Sequence, residues 1–98
     1  MKVQLQSVHF DADRKLVDFI QNKLDKLEKF FDRIIDAEVI LKLENSGDRE
    51  NKIVEVKLNI PGNQLFAKEN DKSFEAAADS AVEAVRRQLK KHKEKSYS

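Results

Sequence analysis

The chain has 98 residues, 40% apolar and 38% charged, with nineteen Lys and Arg against eighteen Asp and Glu. That length suits one small domain with one modest core, residues 1–98 read as a single unit. There is no cysteine, no signal-peptide pattern in MKVQLQSVHF and no apolar run near the ~20 residues that span a bilayer. A disulfide framework, a thiolate metal site, a cysteine nucleophile and a membrane span are thereby excluded, and a cytoplasmic protein is expected.

In chain order, KVQLQSVHF (2–10) alternates, with Val3, Leu5 and Ser7 on one side and Lys2, Gln4 and Gln6 on the other, which predicts a half-buried strand. Residues 11–34 then place Leu16, Ile20, Leu24, Leu27, Phe31 and Ile34 at helical spacing, with Asp11 or Asp13 available to cap the start. AEVILKLE (37–44) alternates again, with Ile40 on the outer side. NSGDREN (45–51) reads as a polar loop, KIVEVKLNI (52–60) as a third strand, PGN (61–63) as a turn and QLFAK (64–68) as a short fourth strand. Residues 73–95 form a long helical pattern, with Ser73 as N-cap and Phe74, Ala78, Ala81, Val85 and Leu89 as the apolar face.

The order is β-α-β-β-β-α. Each strand offers one apolar face, so both helices are expected on the same side of a four-stranded sheet, with the other side polar and open to water. This is an α+β two-layer sandwich.

Charge is distributed unevenly. RRQLKKHKEK (86–95) sums to +5, and the other 88 residues to −4, which a net charge of +1 conceals. With Val85 at zero and about 100° per residue, Arg87 and Lys91 fall near 200° and 240°, and Arg86, Lys90 and Lys93 near 80–140°. On the first helix, with Ile20 at zero, Lys23, Lys26 and Lys29 fall near 300°, 240° and 180°, with Phe19 and Phe30 among them at about 260–280°. If the helices lie side by side, the two phenylalanines can pack in the seam, and two basic ridges border one groove. A Lys-rich helix terminus is usually a solvated end, and Asp25 with Lys29, or Glu28 and Asp32 with Arg33, fit ordinary local pairing. Two ridges on adjacent helices favour an anionic partner more than either ridge alone.

Signals for enzyme chemistry are nearly absent. Gly47 and Gly62 are isolated, so no glycine-rich loop cradles a phosphate. His9 and His92 lie far apart without a cysteine between them, and no serine sits in a nucleophile elbow. No catalytic residue, metal, cofactor or small-molecule substrate is assigned.

KLDKLEKFFDRI (23–34), FAKENDKSFEAAAD (66–79) and RRQLKKHKEK (86–95), in this order and at this separation, resemble the ribosome hibernation promoting factor family. That family includes the ribosome-associated inhibitor called protein Y and carries the older label of sigma-54 modulation proteins. The resemblance covers essentially the whole chain. It implies a fold similar to double-stranded-RNA-binding domains and a translation inhibitor that binds rRNA in the decoding region of the small ribosomal subunit, excluding messenger and transfer RNA. The family's basic positions match Lys23, Lys26 and Lys29 on the first helix, and Arg87 and Lys91 on the second. Two positions depart from the pattern: Ala84 stands where Lys is usual, and Glu75 where Tyr is often found. Arg86 and Lys90 offer compensating charge.

The chain resembles the short form of the family, a ribosome-binding domain with a basic helix end and tail (86–98), expected to be monomeric when free. The alternative is a protein-interaction module acting on transcription, in which the outward Ile40 and Ile53 of the open sheet face would matter more than the lysines.

Overall fold

The computed structural model describes residues 1–47 and 49–96, with the backbone alone at Ser46, Arg49, Glu50 and Ser96. The order is β1 (Lys2–Val8), α1 (Arg14–Phe30), β2 (Asp36–Ser46), β3 (Arg49–Ile60), β4 (Asn63–Asp71) and α2 (Phe74–Ser96). The four strands form one sheet in the order β1-β2-β3-β4. The first pair is parallel and the other two antiparallel. Parallel pairing needs a crossover, and α1 supplies it. The expected two-layer α+β sandwich is the observed one, with both helices on one face.

Alternation decides which face is covered. The register aligns Val3, Ala37, Leu58 and Leu65 in one row and Leu5, Val39, Val56 and Ala67 in the next. Against these rows pack Leu16, Ile20, Leu24 and Leu27 of α1, four residues at helical spacing. From α2 come Phe74, Ala77, Ala78, Ala81, Val85 and Leu89. Removing a Leu or Val side chain from water contributes about 1.5–3 kcal/mol, so this stripe-on-sheet contact is the main stabilising term. The run of alanines lets α2 approach the sheet closely.

The helix starts follow the capping residues. Asp13 accepts from the Leu16 N–H at 2.8 Å, and Ser73 Oγ accepts from the Ala76 N–H at 3.1 Å. Of the two possible caps on α1, Asp13 is the one used. The first strand stops at Val8 instead of running to Phe10, because His9 takes a left-handed φ of 72°. That turn carries Phe10 onto Phe74, their rings stacked at 4.6 Å.

Three further boundaries differ from the sequence reading. The helical pattern continues to Ile34, yet α1 ends at Phe30 and Phe31 is extended (φ −141°, ψ 107°). Pairing of Asp36 with Lys2 leaves only residues 31–35 to turn back into the sheet, so the last helical turn is given up. Phe31 and Ile34 still reach the core, from the connection. The polar stretch 45–51 is mostly strand, with pairing down to Ser46 and Arg49, while Asp48 lies outside the described residues. Gly47 takes φ 63°, which suits a residue without a Cβ. The fourth strand runs 63–71 rather than 64–68.

The open face is polar but not uniformly exposed. Lys42 meets Glu55 at 2.7 Å, Lys57 meets Glu38 at 3.8 Å, and the Asn59 side-chain amide donates to Asp36. Ile40 is half-buried there, and Ile53, expected to face water, is only 6% exposed. Strand parity places its side chain on the outer side, yet it is nearly closed to solvent. Its register partners there are Lys42 and Asn70.

Candidate nucleic-acid interface

The two helices run in the same direction, since Lys23 meets Asp79 while Phe30, seven residues on, meets Arg86 and Lys93. Their C-terminal ends, where the basic residues concentrate, therefore lie together.

The seam between the helices holds one set of cations. Lys23 Nζ is 2.5 Å from Asp79 and lies over the Phe19 ring at 5.4 Å. Arg86 lies 5.2 Å from the Phe30 ring centroid and 3.9 Å from Glu83. Lys93 lies 4.6 Å from the same ring, and its ammonium donates to the Phe30 carbonyl at 3.1 Å. Phe30 is thus flanked by two cations, an arrangement in which each contact contributes ~0.5–2 kcal/mol depending on exposure. Lys93 also caps the end of α1. A hollow opens just beyond, lined by Lys29, Phe30, Phe31, Arg33, His92 and Lys93 among others. The aromatic seam read from the helical angles is present.

The rim outside the seam holds a second set. Lys26, Lys29, Arg87, Lys90 and Lys91 are exposed. Among the described residues, no ion pair engages any of them. The local pairing open to Lys29 does not form. Asp25 accepts from Gln21 at 2.9 Å, and Glu28 holds the Met1 amino group at 2.8 Å. Tyr97 and Ser98, at the end of the basic tail, lie outside the described residues.

Helix dipoles do not account for so many cations. Each C-terminus carries roughly half a negative charge, and Lys29 on α1 with Lys93 and Lys95 on α2 already stand in the last turns. The rest is surplus positive charge on one face. The two groups whose proton affinity is clearly altered lie elsewhere. Glu28 holds the Met1 amine above its ordinary value, and Glu55 does the same for Lys42.

Of the seven residues expected to contact RNA, then, Lys26, Lys29, Arg87, Lys90 and Lys91 form the rim, while Lys23 and Arg86 are tied into the seam. Sequence reasoning missed Gln88. Its side-chain amide donates to the Phe66 carbonyl at 2.8 Å and accepts from the Phe66 N–H at 3.4 Å. It thereby closes the free edge of β4 and fixes the flank of α2 that carries Arg87 and Lys91. No periodicity signals a pairing between residues twenty-two positions apart. Among the described residues no group of three His, Asp or Glu is placed to hold a metal ion, and no helix is long and apolar enough to cross a membrane.

Residues 3–97 match the family model described as Sigma 54 modulation protein / S30EA ribosomal protein. The chain belongs to this family, that of the ribosome hibernation promoting factors. It is 36% identical over 98 residues to the ribosome hibernation promoting factor of Pseudomonas putida, covering all of this chain and 92% of that one. It is 30% identical over 95 residues to the factor of Escherichia coli K12, covering 97% and 96% of the two chains. The N-terminal domain of Thermus thermophilus protein Y superposes with a TM-score of 0.82 at 26% identity, over 94% of this chain and 99% of that domain. Longer hibernation promotion factors exist too: the chain aligns with 50% of the Bacillus subtilis protein at 30% identity. The family is thus one of ribosome-associated hibernation factors, and the arrangement of cations is to be understood in that setting.

Proposed function

We propose that this protein binds the small ribosomal subunit through its rRNA, in the decoding region, and inhibits translation by occupying the space of messenger and transfer RNA. The observation that carries this reading is the rim: five exposed Lys and Arg side chains on the helical layer without acidic partners among the described residues. Such cations neutralise phosphates and release condensed counterions, and the resulting affinity falls steeply with salt. Phosphate contacts position a protein without reading sequence. Folded RNA is then recognised by shape, since its deep major groove is closed to side chains. The names of the relatives support a ribosomal partner. The transcription-module alternative loses its main support, because Ile53 is covered and Ile40 half-buried on the open face.

The test is a competition. Small subunits carrying labelled messenger RNA and initiator transfer RNA are titrated with the protein. Displacement of both labels at about one protein per subunit is expected. Binding of the protein alongside both labels would overturn the occupancy reading.

A further inference from the structure

Phe66 differs from every other phenylalanine in the chain. Phe31 and Phe74 are buried, Phe10, Phe19 and Phe30 are half-buried, and Phe66 is 47% exposed. Its neighbours Leu65 and Ala67 enter the core, so alternation sends the Phe66 ring out through the open face of the edge strand. A lone exposed aromatic is ordinary on a protein surface. The surroundings of this one are not.

Lys57 is its register partner on β3, and Lys68 lies two residues along β4 on the same face. Lys68 carries positive charge beside the ring, whereas Lys57 is paired with Glu38 at 3.8 Å. Glu55, opposite Lys68, is held by Lys42 at 2.7 Å. On the other side of the strand edge, the Gln88 amide grips the Phe66 backbone at both its N–H and its C=O. Arg87 precedes Gln88 and Lys91 follows one turn later, both exposed. The clasp therefore fastens the ring-bearing strand to the basic flank of α2, and the rim continues around the β4 edge onto the sheet.

We propose that Phe66 is a stacking platform for an unpaired RNA base, with the flanking phosphates held by Arg87 and Lys91 on the helix side and by Lys68 on the sheet side. The inference rests on the ribosome-binding reading above and extends it beyond the helical layer. The chemistry is that of single-strand recognition, in which a cationic track follows the backbone and an aromatic face takes the base. Every base has a π-face, so the contact adds affinity with little sequence preference. Bases closed in a duplex cannot use it, so the site selects a loop or a free strand.

The chain contains no Trp, which makes Phe66→Trp a single fluorescent probe at the site. The variant is titrated with purified small subunits while pelleting is followed in parallel. Quenching of the Trp emission in step with pelleting, reversed by salt, is expected. Phe66→Ala is expected to weaken pelleting about tenfold while leaving the fold intact. Pelleting with unchanged emission, or with a blue shift and no quenching, would overturn the proposal while leaving ribosome binding standing. The first outcome leaves the ring in water, and the second buries it against protein. Failure of the wild-type protein to pellet would overturn the ribosome-binding reading and this inference together.

Discussion

The seam and the rim are built from the same residue types, yet their cations differ in what surrounds them. In the seam, Lys23 has Asp79, Arg86 has Glu83 and the Phe30 ring, and Lys93 has that ring and a carbonyl. On the rim, Lys26, Lys29, Arg87, Lys90 and Lys91 have water. A seam cation is already partly compensated, and moving it onto a phosphate would forfeit those contacts. A rim cation loses only its hydration and gains the released counterions. The comparison teaches that a count of basic residues on a helix overstates its grip on an anion until the internal partners are subtracted.

The largest effect expected from breaking this division comes from the rim. Arg87→Glu combined with Lys91→Glu should weaken small-subunit binding by about a hundredfold, since two attractive contacts become repulsive. Thermal unfolding should stay unchanged, because both side chains are exposed. A drop in melting temperature parallel to the loss of binding would show that these residues support the fold instead.

Gln88→Ala tests the link between the two regions. It strands the Phe66 N–H and C=O at the sheet edge and should cost about 1–2 kcal/mol in chemical denaturation, roughly one net hydrogen bond or slightly more. It should also weaken ribosome binding modestly, by loosening the flank that bears Arg87 and Lys91. Unaltered stability would mean that water satisfies the edge equally well.

Smaller effects sharpen the picture. Ala84 lies one turn before Gln88 on α2, so Ala84→Lys should tighten ribosome binding about threefold if a phosphate is in reach. A titration at moderate salt would show it, and equal affinity would mean that no phosphate comes near this position. Smallest of all is Lys23→Ala. Its partner Asp79 is about half exposed (52%), so solvent screens the pair and denaturation should register ~1 kcal/mol or less. Binding should change less than threefold. A large loss of affinity would move Lys23 from the seam to the rim.

Much of this architecture was legible in the sequence because it depends on local periodicity. The alternation in Val3–Leu5 and Val54–Ile60, the helical stripe from Leu16 to Leu27, and the caps at Asp13 and Ser73 are short-range patterns, and each is realised. Phe30 in the seam also followed from its helical angle. The misreadings share one cause, which is tertiary context. Strand pairing between Lys2 and Asp36 shortened α1 despite a helical pattern through Ile34. Cross-strand pairing drew the polar stretch 45–51 into β2 and β3. Ile53, which parity alone had sent into water, is buried on its side of the sheet. The site was legible as a charged surface but not in its division. Lys23 and Asp79 are fifty-six positions apart, and nothing along the chain announces that they meet.

The most direct test of that division is the salt dependence of small-subunit affinity, measured for the wild type, for Lys90→Gln with Lys91→Gln, and for Lys23→Gln. Each phosphate neutralised adds roughly 0.7–0.9 to the slope of log affinity against log salt. The rim variant should lose about one to two units of slope, and the seam variant should keep the wild-type value. Equal losses in the two variants would contradict the account, since seam and rim cations would then hold the RNA alike.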